Sequence, residues 1–379
     1  MSATASAELK STGLEGLVAG KTTIASVMQD QLVYRGYTID DLSERATFEE
    51  VAFLLLVGHK PSPAELAAFK KDIVAERTLP DLVVKLIKDT AKLPNTVPMD
   101  TLRSAISVLA HLDPDCQDNS PAAELRKSKR LLAKIPTIIG HMQNVIDGRD
   151  IVKPDNTLDH AANLLWMMSG KKPSAEYARV IDVSLILYAE HDFNASTFTG
   201  RVIAATLSDM HGAVTGAIAA LKGPLHGGAN EQAMEMLKEL NADMKGGMDV
   251  EQWMKQAFAE KKKLMGFGHR VYKRGDHRAP ILHALGREIA QKQGKESLHW
   301  FEIGEQMMAI MERDKQIYPN VDFPCGLTYF VMGIPVPQYT PIFVASRITG
   351  WCAHIMEQHE NNRLIRPIAE YVGEGIRKW

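Results

Sequence analysis

From Ile39 onward apolar residues recur every three to four positions, and this period leaves little room for a sheet-built chain. It predicts helices at about 48–57, 63–77, 80–92, 98–111, 121–148, 157–168 and 174–190, separated by turns rich in Gly, Pro and Asn. The expected fold class is therefore all-α. One exception stands near the N-terminus, where Thr22–Val27 and Leu32–Tyr34 flank Gln29-Asp30 and suggest a short β-hairpin. Residues 1–12 are small and polar and are expected to fray. The stretch Gly16 to Thr22 imitates a phosphate-binding loop, but it is one residue too short between its glycines and no buried strand leads into it.

The global charge excludes some classes of partner. A formal charge of -2 and a pI near 6.7 provide no field that would hold nucleic acid or an anionic membrane, so any anion must be bound locally. Cys116, Cys325 and Cys352 are odd in number and far apart, which suggests neither a disulfide framework nor a zinc knuckle. A reducing, cytoplasmic setting is expected. There is no basic segment followed by an apolar core at the start, and no apolar run long enough to cross a bilayer.

Chemistry concentrates at a few places. In Gly223-Pro224-Leu225-His226-Gly227-Gly228-Ala229-Asn230-Glu231 a histidine sits between two glycine turns, just before a helix with Ala233, Met234, Leu237 and Leu240 on one face. The positive end of that helix favours a neutral imidazole that donates a hydrogen bond, although a plain turn with a capping histidine has the same spelling. His191 follows an apolar helix in Glu190-His191-Asp192-Phe193-Asn194, where it is either a cap or a functional group. Gly212, Gly216 and Ala220 at four-residue spacing allow close helix packing, within the chain or between subunits.

Three charged segments divide differently. Arg126-Lys127-Ser128-Lys129-Arg130 has no interleaved aromatics and is expected to be a solvated face. Residues 251–263 are expected to form a basic-ended amphipathic helix. From Lys261 to Arg278 there are seven Lys or Arg against the single acid Asp276, which suits either local anion binding or a solvated loop. Arg347, by contrast, is the only Lys or Arg between Asp322 and Glu357, in a helix apolar on nearly every side. A guanidinium there needs an anionic partner, which is either a distant Asp or Glu or a carboxylate on a ligand.

Three histidines at turns or helix ends, Asp322 in Asn320-Val321-Asp322-Phe323, and arginines at 278, 347 and 366 suit one chemical idea. Arginines bind a small polycarboxylate by forked hydrogen bonds, histidines polarise carbonyls, and an aspartate removes a neighbouring proton. Read with Gly266-Phe267-Gly268-His269-Arg270-Val271-Tyr272-Lys273, Ser346-Arg347-Ile348-Thr349-Gly350-Trp351 and Arg366-Pro367, the chain resembles the citrate synthase family over nearly its full length.

The resemblance implies a citrate synthase-like two-domain helical fold that works as a homodimer with shared active sites, leaving higher oligomers open. A large domain would comprise 1–224 and 333–379, with a small domain at 225–332. It implies condensation of acetyl-CoA with oxaloacetate and water to citrate and CoA, a step of the tricarboxylic acid cycle. No cofactor would be bound permanently, because acetyl-CoA or propionyl-CoA is a co-substrate. No metal would take part, and nucleic acid and membranes would not be partners. His226, His269 and Asp322 would be catalytic. Asp322 would take a methyl proton, His226 would donate to the thioester oxygen, and His269 would polarise and protonate the ketone. His191, Arg278, Arg347 and Arg366 would hold oxaloacetate, with Arg366 reaching in from the neighbouring subunit. Lys263, Leu264, Gly266, Gly268, Lys273, Arg274 and Asn320 would hold CoA.

Two departures from the family pattern stand out. Members commonly carry Asp-Pro-Arg where this chain has Asp276-His277-Arg278, which puts the turn presenting Arg278 in question. Phe323-Pro324-Cys325 after Asp322 is unusual and alters the expected wall beside the base. The long N-terminal extension of the NADH-regulated bacterial branch is missing, so that regulation is not expected. Within the family, 2-methylcitrate synthase is the runner-up, since one extra methylene is worth only about 1–3 kcal/mol in a pocket. A metal hydrolase would need close spacing such as His-Glu-x-x-His, whereas His354 and His359 are five apart and leave one helix face. A catalytically silent CoA-binding protein is the remote alternative.

Overall fold

The computed structural model describes residues 14, 17–28, 31–269, 271–272 and 275–379. The N-terminal residues expected to fray, the start of the phosphate-loop imitation, the hairpin turn Gln29-Asp30, and Arg270, Lys273 and Arg274 lie outside them.

The expected hairpin is present and gains a third strand. β1 (Ala25–Met28) pairs antiparallel with β2 (Gln31–Tyr34), Met28 opposite Gln31, and β2 pairs with β3 (Tyr37–Thr38). The rest is helical, as the period required. In chain order the helices are α1 (Ile39–Arg45), α2 (Phe48–Val57), α3 (Pro63–Ala75), α4 (Asp81–Thr90), α5 (Pro98–Leu109), α6 (Pro121–Ile146), α7 (His160–Ser169) and α8 (Ala175–Tyr188). They continue with α9 (Ala195–Ala204), α10 (Met210–Leu221), α11 (Ala229–Lys245), α12 (Val250–Ala259), α13 (Arg278–Gln293), α14 (Lys295–Lys315), α15 (Asp322–Val331) and α16 (Tyr339–Glu360).

Local chemistry accounts for several boundaries. Thr47 with Glu50, Ser62 with Glu65 and Asp249 with Gln252 form reciprocal capping boxes that satisfy the free amides at the starts of α2, α3 and α12. The helix expected at 251–263 is shorter, because its chain turns at Lys261, which takes a left-handed φ of 55°. Lys261-Lys262-Lys263 therefore lies beyond the helix.

The centre of the molecule is α16, which is buried from Tyr339 to Ile355 and packs against α2, α6, α8, α9 and α10. An helix apolar on all sides belongs in the middle of a fold, and this one carries Arg347 there. Within the small-residue stripe of α10, Gly216 serves packing within the chain. A Cβ on Gly216 would overlap the Ile203 side chain of α9. Elements α11 to α15 pack mainly on one another, with α13 against α15 and α14, and α11 against α15.

The basic cluster at the start of α6 is only in part a solvated face: Arg126 is exposed, but the rest of the cluster is drawn in. Lys127 is fully buried and its Nζ donates to the carbonyl of Asp118 at 2.7 Å, while Arg130 forks onto Asp113 at 2.9 and 2.7 Å and Arg126 pairs with Asp115. The acids of the preceding loop, Asp113, Asp115 and Asp118, fold back over these bases. A charge run read alone omits partners that lie a loop away.

After Glu360 the chain runs to Trp379 without helix or strand, and Ile368, Val372, Ile376 and Trp379 are exposed.

Candidate active site

A cavity of about 480 Å³ opens where the end of α8, the turn before α11, the loop before α13, the start of α15 and the middle of α16 meet. Its walls gather His191, His226, His269, Arg278, Asn320, Asp322 and Arg347, which lie up to 156 positions apart in sequence. Arg366 does not line it, since that residue lies in the exposed C-terminal segment.

Asp322 is the first residue of α15, and its amide is capped by Asn320 Oδ1 at 3.0 Å. Burial pushes its carboxyl up to about 6, against the hydrogen bond from the Tyr188 hydroxyl and the positive charges of Arg278 and Arg347, which pull the other way. An unperturbed aspartate would be a weak base for a carbon acid; this one is stronger by environment.

His226 sits in the glycine turn ahead of α11. Its Nε2 lies 3.2 Å from the Ser196 amide and 2.8 Å from Ser196 Oγ. An amide can only donate, so Nε2 accepts and the ring proton belongs on Nδ1. Burial, with Arg347 adding to it, pushes the imidazole down to about 4. The neutral donor expected from the sequence is there, but burial leads its causes.

His191 is buried, its Nε2 is 2.9 Å from the Tyr272 hydroxyl, and its ring lies 4.9 Å from that of His269. Burial first, and then Arg278, hold it well below the usual imidazole range. His269 Nδ1 accepts from the amides of Val271 at 3.1 Å and Tyr272 at 3.3 Å, which fixes its ring in the cavity wall.

The two arginines are held in different ways. Arg278 opens α13 and forks onto Asp276 through Nε and Nη2 at 2.9 and 2.8 Å. Burial opposes the Asp276 charge, but Arg278 prevails and holds that carboxyl down at about 2. The substitution of histidine for proline leaves the turn intact: His277 has φ -56°, a value proline itself adopts. Arg347 donates from Nε to the Tyr188 carbonyl at 2.7 Å and lies over the Phe343 ring, while its buried Nη1 has no hydrogen-bond partner among the described residues. No ion pair to Arg347 occurs among the described residues, although Glu190 acts on it through space. Such an orphaned donor costs about 1–3 kcal/mol unless something arrives to accept from it.

The segment 266–268 forms one rim. Gly266 and Gly268 have φ of 82° and 75°, and a Cβ on Gly266 would come 2.8 Å from Phe323 Cβ. Asn320 ties the rim down, with its amide on the Gly266 carbonyl at 2.9 Å and its Nδ2 on the Gly268 carbonyl at 2.9 Å. Leu264 is half-buried behind it and Lys263 is exposed. Lys273 and Arg274, expected at the same place, are outside the described residues.

Sequence reasoning missed four side chains here. Tyr188 holds Asp322, Tyr272 holds His191, Asp276 holds both Arg278 and the Val321 amide, and Ser196 fixes the His226 tautomer. Tyr188, Tyr272 and Ser196 act on residues remote in sequence, whereas Asp276 acts both on Arg278 two positions on and on the distant Val321. Only Asp276 left a signal, as the sole acid in a basic stretch.

Comparison with known proteins decides the family. A model of the citrate synthase C-terminal domain matches residues 13–368. The chain belongs to the citrate synthase family. It is 41% identical to citrate synthase 2 of Bacillus subtilis, covering 97% of each chain. It is 43% identical to the 2-methylcitrate synthase of Shewanella oneidensis, covering 98% of this chain and 97% of the other. Among solved structures, citrate synthase from Pyrobaculum aerophilum superposes with a TM-score of 0.88 at 37% identity, over 97% of this chain and 93% of that one. A citrate synthase from Thermoplasma acidophilum, solved as a ternary complex with carboxymethyl coenzyme A and oxaloacetate, superposes with a TM-score of 0.90 at 32% identity, over 98% of each chain. Citrate synthases are transferases that need no permanently bound cofactor and take acetyl-CoA as substrate.

Proposed function

We propose that this chain condenses acetyl-CoA with oxaloacetate and water to give citrate and free CoA. The observation that carries the proposal is the opposition, across one cavity, of a carboxylate tuned to about 6 and a neutral histidine, beside a buried guanidinium with an uncommitted donor.

Oxaloacetate is held through its carboxylates by Arg347 Nη1 and by Arg278 Nη1, which otherwise makes only a long 3.4 Å bond to the Leu187 carbonyl, with His191 beside them. Asp322 takes a proton from the acetyl methyl group. His226 donates from Nδ1 to the thioester oxygen, and the resulting enol attacks the ketone carbon. His269 gives its proton to the ketone oxygen as that bond forms. Water then attacks the citryl thioester carbonyl and CoA leaves as the thiol. Each donor aimed at the developing enolate is worth roughly 3–4 kcal/mol, which is the scale this step requires of a carboxylate base. Lys263, Leu264, the Gly266–Gly268 rim, Lys273, Arg274 and Asn320 hold CoA; the rim's left-handed glycines bring bare backbone to the cavity edge.

The working unit we infer is a homodimer in the cytoplasm. Arg366 lies in an exposed, partly apolar C-terminal segment, a form suited to lying on a second copy, where it would complete the neighbour's oxaloacetate site. Three buried, unpaired cysteines fit a reducing compartment. Residues 225–332 form the small domain, supported by the mutual packing of α11 to α15, with 1–224 and 333–379 as the large one.

Propionyl-CoA is the second acyl donor to consider, because 2-methylcitrate synthases match this chain as well as citrate synthases do. The acyl group would lie against Tyr188, Phe343 and Asp322, and one methylene there changes selectivity by about 1–3 kcal/mol. The test is release of free CoA from acetyl-CoA and from propionyl-CoA, with and without oxaloacetate, in the presence of a chelator. Release that needs oxaloacetate and favours acetyl-CoA is expected. Preference for propionyl-CoA would transfer the assignment to 2-methylcitrate synthase, and release without oxaloacetate would remove it.

A further inference from the structure

Away from the cavity, the loop that precedes α6 meets the start of α10. Cys116, Asp209 and His211 each offer one ligand atom there, and these atoms all lie within 4.8 Å of one another. It is the only such group of three among the described residues. His211 is 2% exposed at its side chain, and its buried Nδ1 has no hydrogen-bond partner among the described residues. That nitrogen is 4.0 Å from Asp209 Oδ1, while Nε2, on the other ring edge, is 3.5 Å from Asp113 Oδ2. Asp113 is itself immobilised by the Arg130 fork. A buried nitrogen without a partner is costly, so its place beside a thiol and a carboxylate calls for a physical reason.

We propose that Cys116 Sγ, an Asp209 carboxylate oxygen and His211 Nδ1 form a three-ligand site for a zinc-class divalent cation, with Asp113 orienting the imidazole through Nε2. One sulfur, one imidazole nitrogen and one carboxylate oxygen are the borderline donor set that zinc accepts, with water in the fourth position. A carboxylate on the far ring nitrogen fixes the tautomer that exposes Nδ1 and raises its basicity. Asp209 caps α10 through Oδ1, which accepts from the Gly212 amide at 2.9 Å, so its carboxylate is held in place beside the thiol. Cys116 Sγ takes a weak contact from Gln117 Nε2 at 3.7 Å and its thiol hydrogen-bonds the Asp209 carboxylate, a contact that the ion replaces as the proton leaves to solvent.

Asp113 Oδ2 and Asp209 Oδ1 lie 3.5 and 4.0 Å from the two His211 ring nitrogens, while burial, Lys127 and Arg130 oppose positive charge there. The positive end of α10 opposes a cation only weakly. Ligand atoms bound to one zinc lie about 3.3–3.8 Å apart, given bonds of about 2.0–2.3 Å, so the loop must close by roughly 1 Å. The ion would staple that loop to α10. It has no part in the condensation.

The test uses full-length, tag-free protein stripped with a chelator that is then removed, and titrated with cobalt(II) followed by zinc(II). One cobalt per chain is expected, with a thiolate-to-metal charge-transfer band that zinc abolishes by displacement, and zinc should raise the thermal midpoint. In wild type the band itself points to Cys116, because Cys325 and Cys352 are fully buried and belong to no such group among the described residues. Cys116→Ser should lose the band, His211→Gln should weaken binding at least 100-fold, and Asp113→Asn should weaken it about 10–100-fold at unchanged stoichiometry. Retained CoA release shows that each variant is folded. Absence of stoichiometric binding in wild type, a spectrum without the thiolate band, or undiminished binding in folded Cys116→Ser would each overturn the site.

Discussion

The Tyr188 hydroxyl donates a 2.7 Å hydrogen bond to Oδ1 of Asp322. It stabilises the ionised carboxylate against burial, which by itself drives the group up towards neutrality. The ionised form is the one that can accept a proton. Turnover should therefore be full above about pH 6 and fall as pH drops through that value. Tyr188→Phe removes the donor, raises the Asp322 pKa further, and should move the acid limb of kcat/KM upward by roughly half to one pH unit, the worth of one such bond. A limb that stays in place would show that Tyr188 only packs.

Arg347→Leu should leave the apo protein as stable as wild type or more so, since it removes a buried cation that has no ion-pair partner among the described residues. Oxaloacetate affinity should fall by about 3–5 kcal/mol, that is, by more than 100-fold. Thermal midpoints with and without oxaloacetate read both quantities. A large loss of apo stability with unchanged ligand shift would instead make Glu190 the functional partner.

Gly350→Ala tests how α16 carries the site. A Cβ at Gly350 would overlap Glu190 Oε2 and come 2.5 Å from the Ala189 carbonyl, on the segment that leads into His191. Overpacking of this kind costs about 1–3 kcal/mol. The melting temperature should fall and KM for oxaloacetate should rise, because His191 shifts with its backbone. A lower melting temperature with unaltered KM would separate that contact from the site.

Arg366→Ala and Asp322→Ala should each be inactive as homodimers, yet recover activity when subunits are exchanged. In the mixed dimer the site with its own Asp322 on the Arg366→Ala chain receives an intact Arg366 from the other subunit. One good site per heterodimer returns. If Arg366 serves its own chain, every site still lacks one group and no activity reappears.

Much of this was legible in the sequence because the decisive signals are local. The helical period, the glycine turns around His226 and 266–268, and Arg347 alone in an apolar helix all led to residues that meet in one cavity. What was not legible depends on contacts between distant segments. Lys127 reads as solvated until Asp118 folds over it, and Tyr188 is one more apolar-helix residue until α15 brings Asp322 to its hydroxyl. The depression of His226 was expected from a helix end, whereas burial and Arg347 cause it, and neither is visible in its own turn. The same holds for Cys116, which sits 95 positions from His211 in the chain.

Asp322→Asn is the most direct test of the whole account. The substitution keeps the shape of the side chain and removes the base, so condensation of acetyl-CoA with oxaloacetate should fall by at least 10²–10⁴-fold, the usual worth of a positioned base. Oxaloacetate, held by Arg347, Arg278 and His191, should bind within a few-fold of wild type by calorimetry. That combination is the predicted result. Turnover close to wild type would contradict Asp322 as the base, and with it the assignment of this cavity.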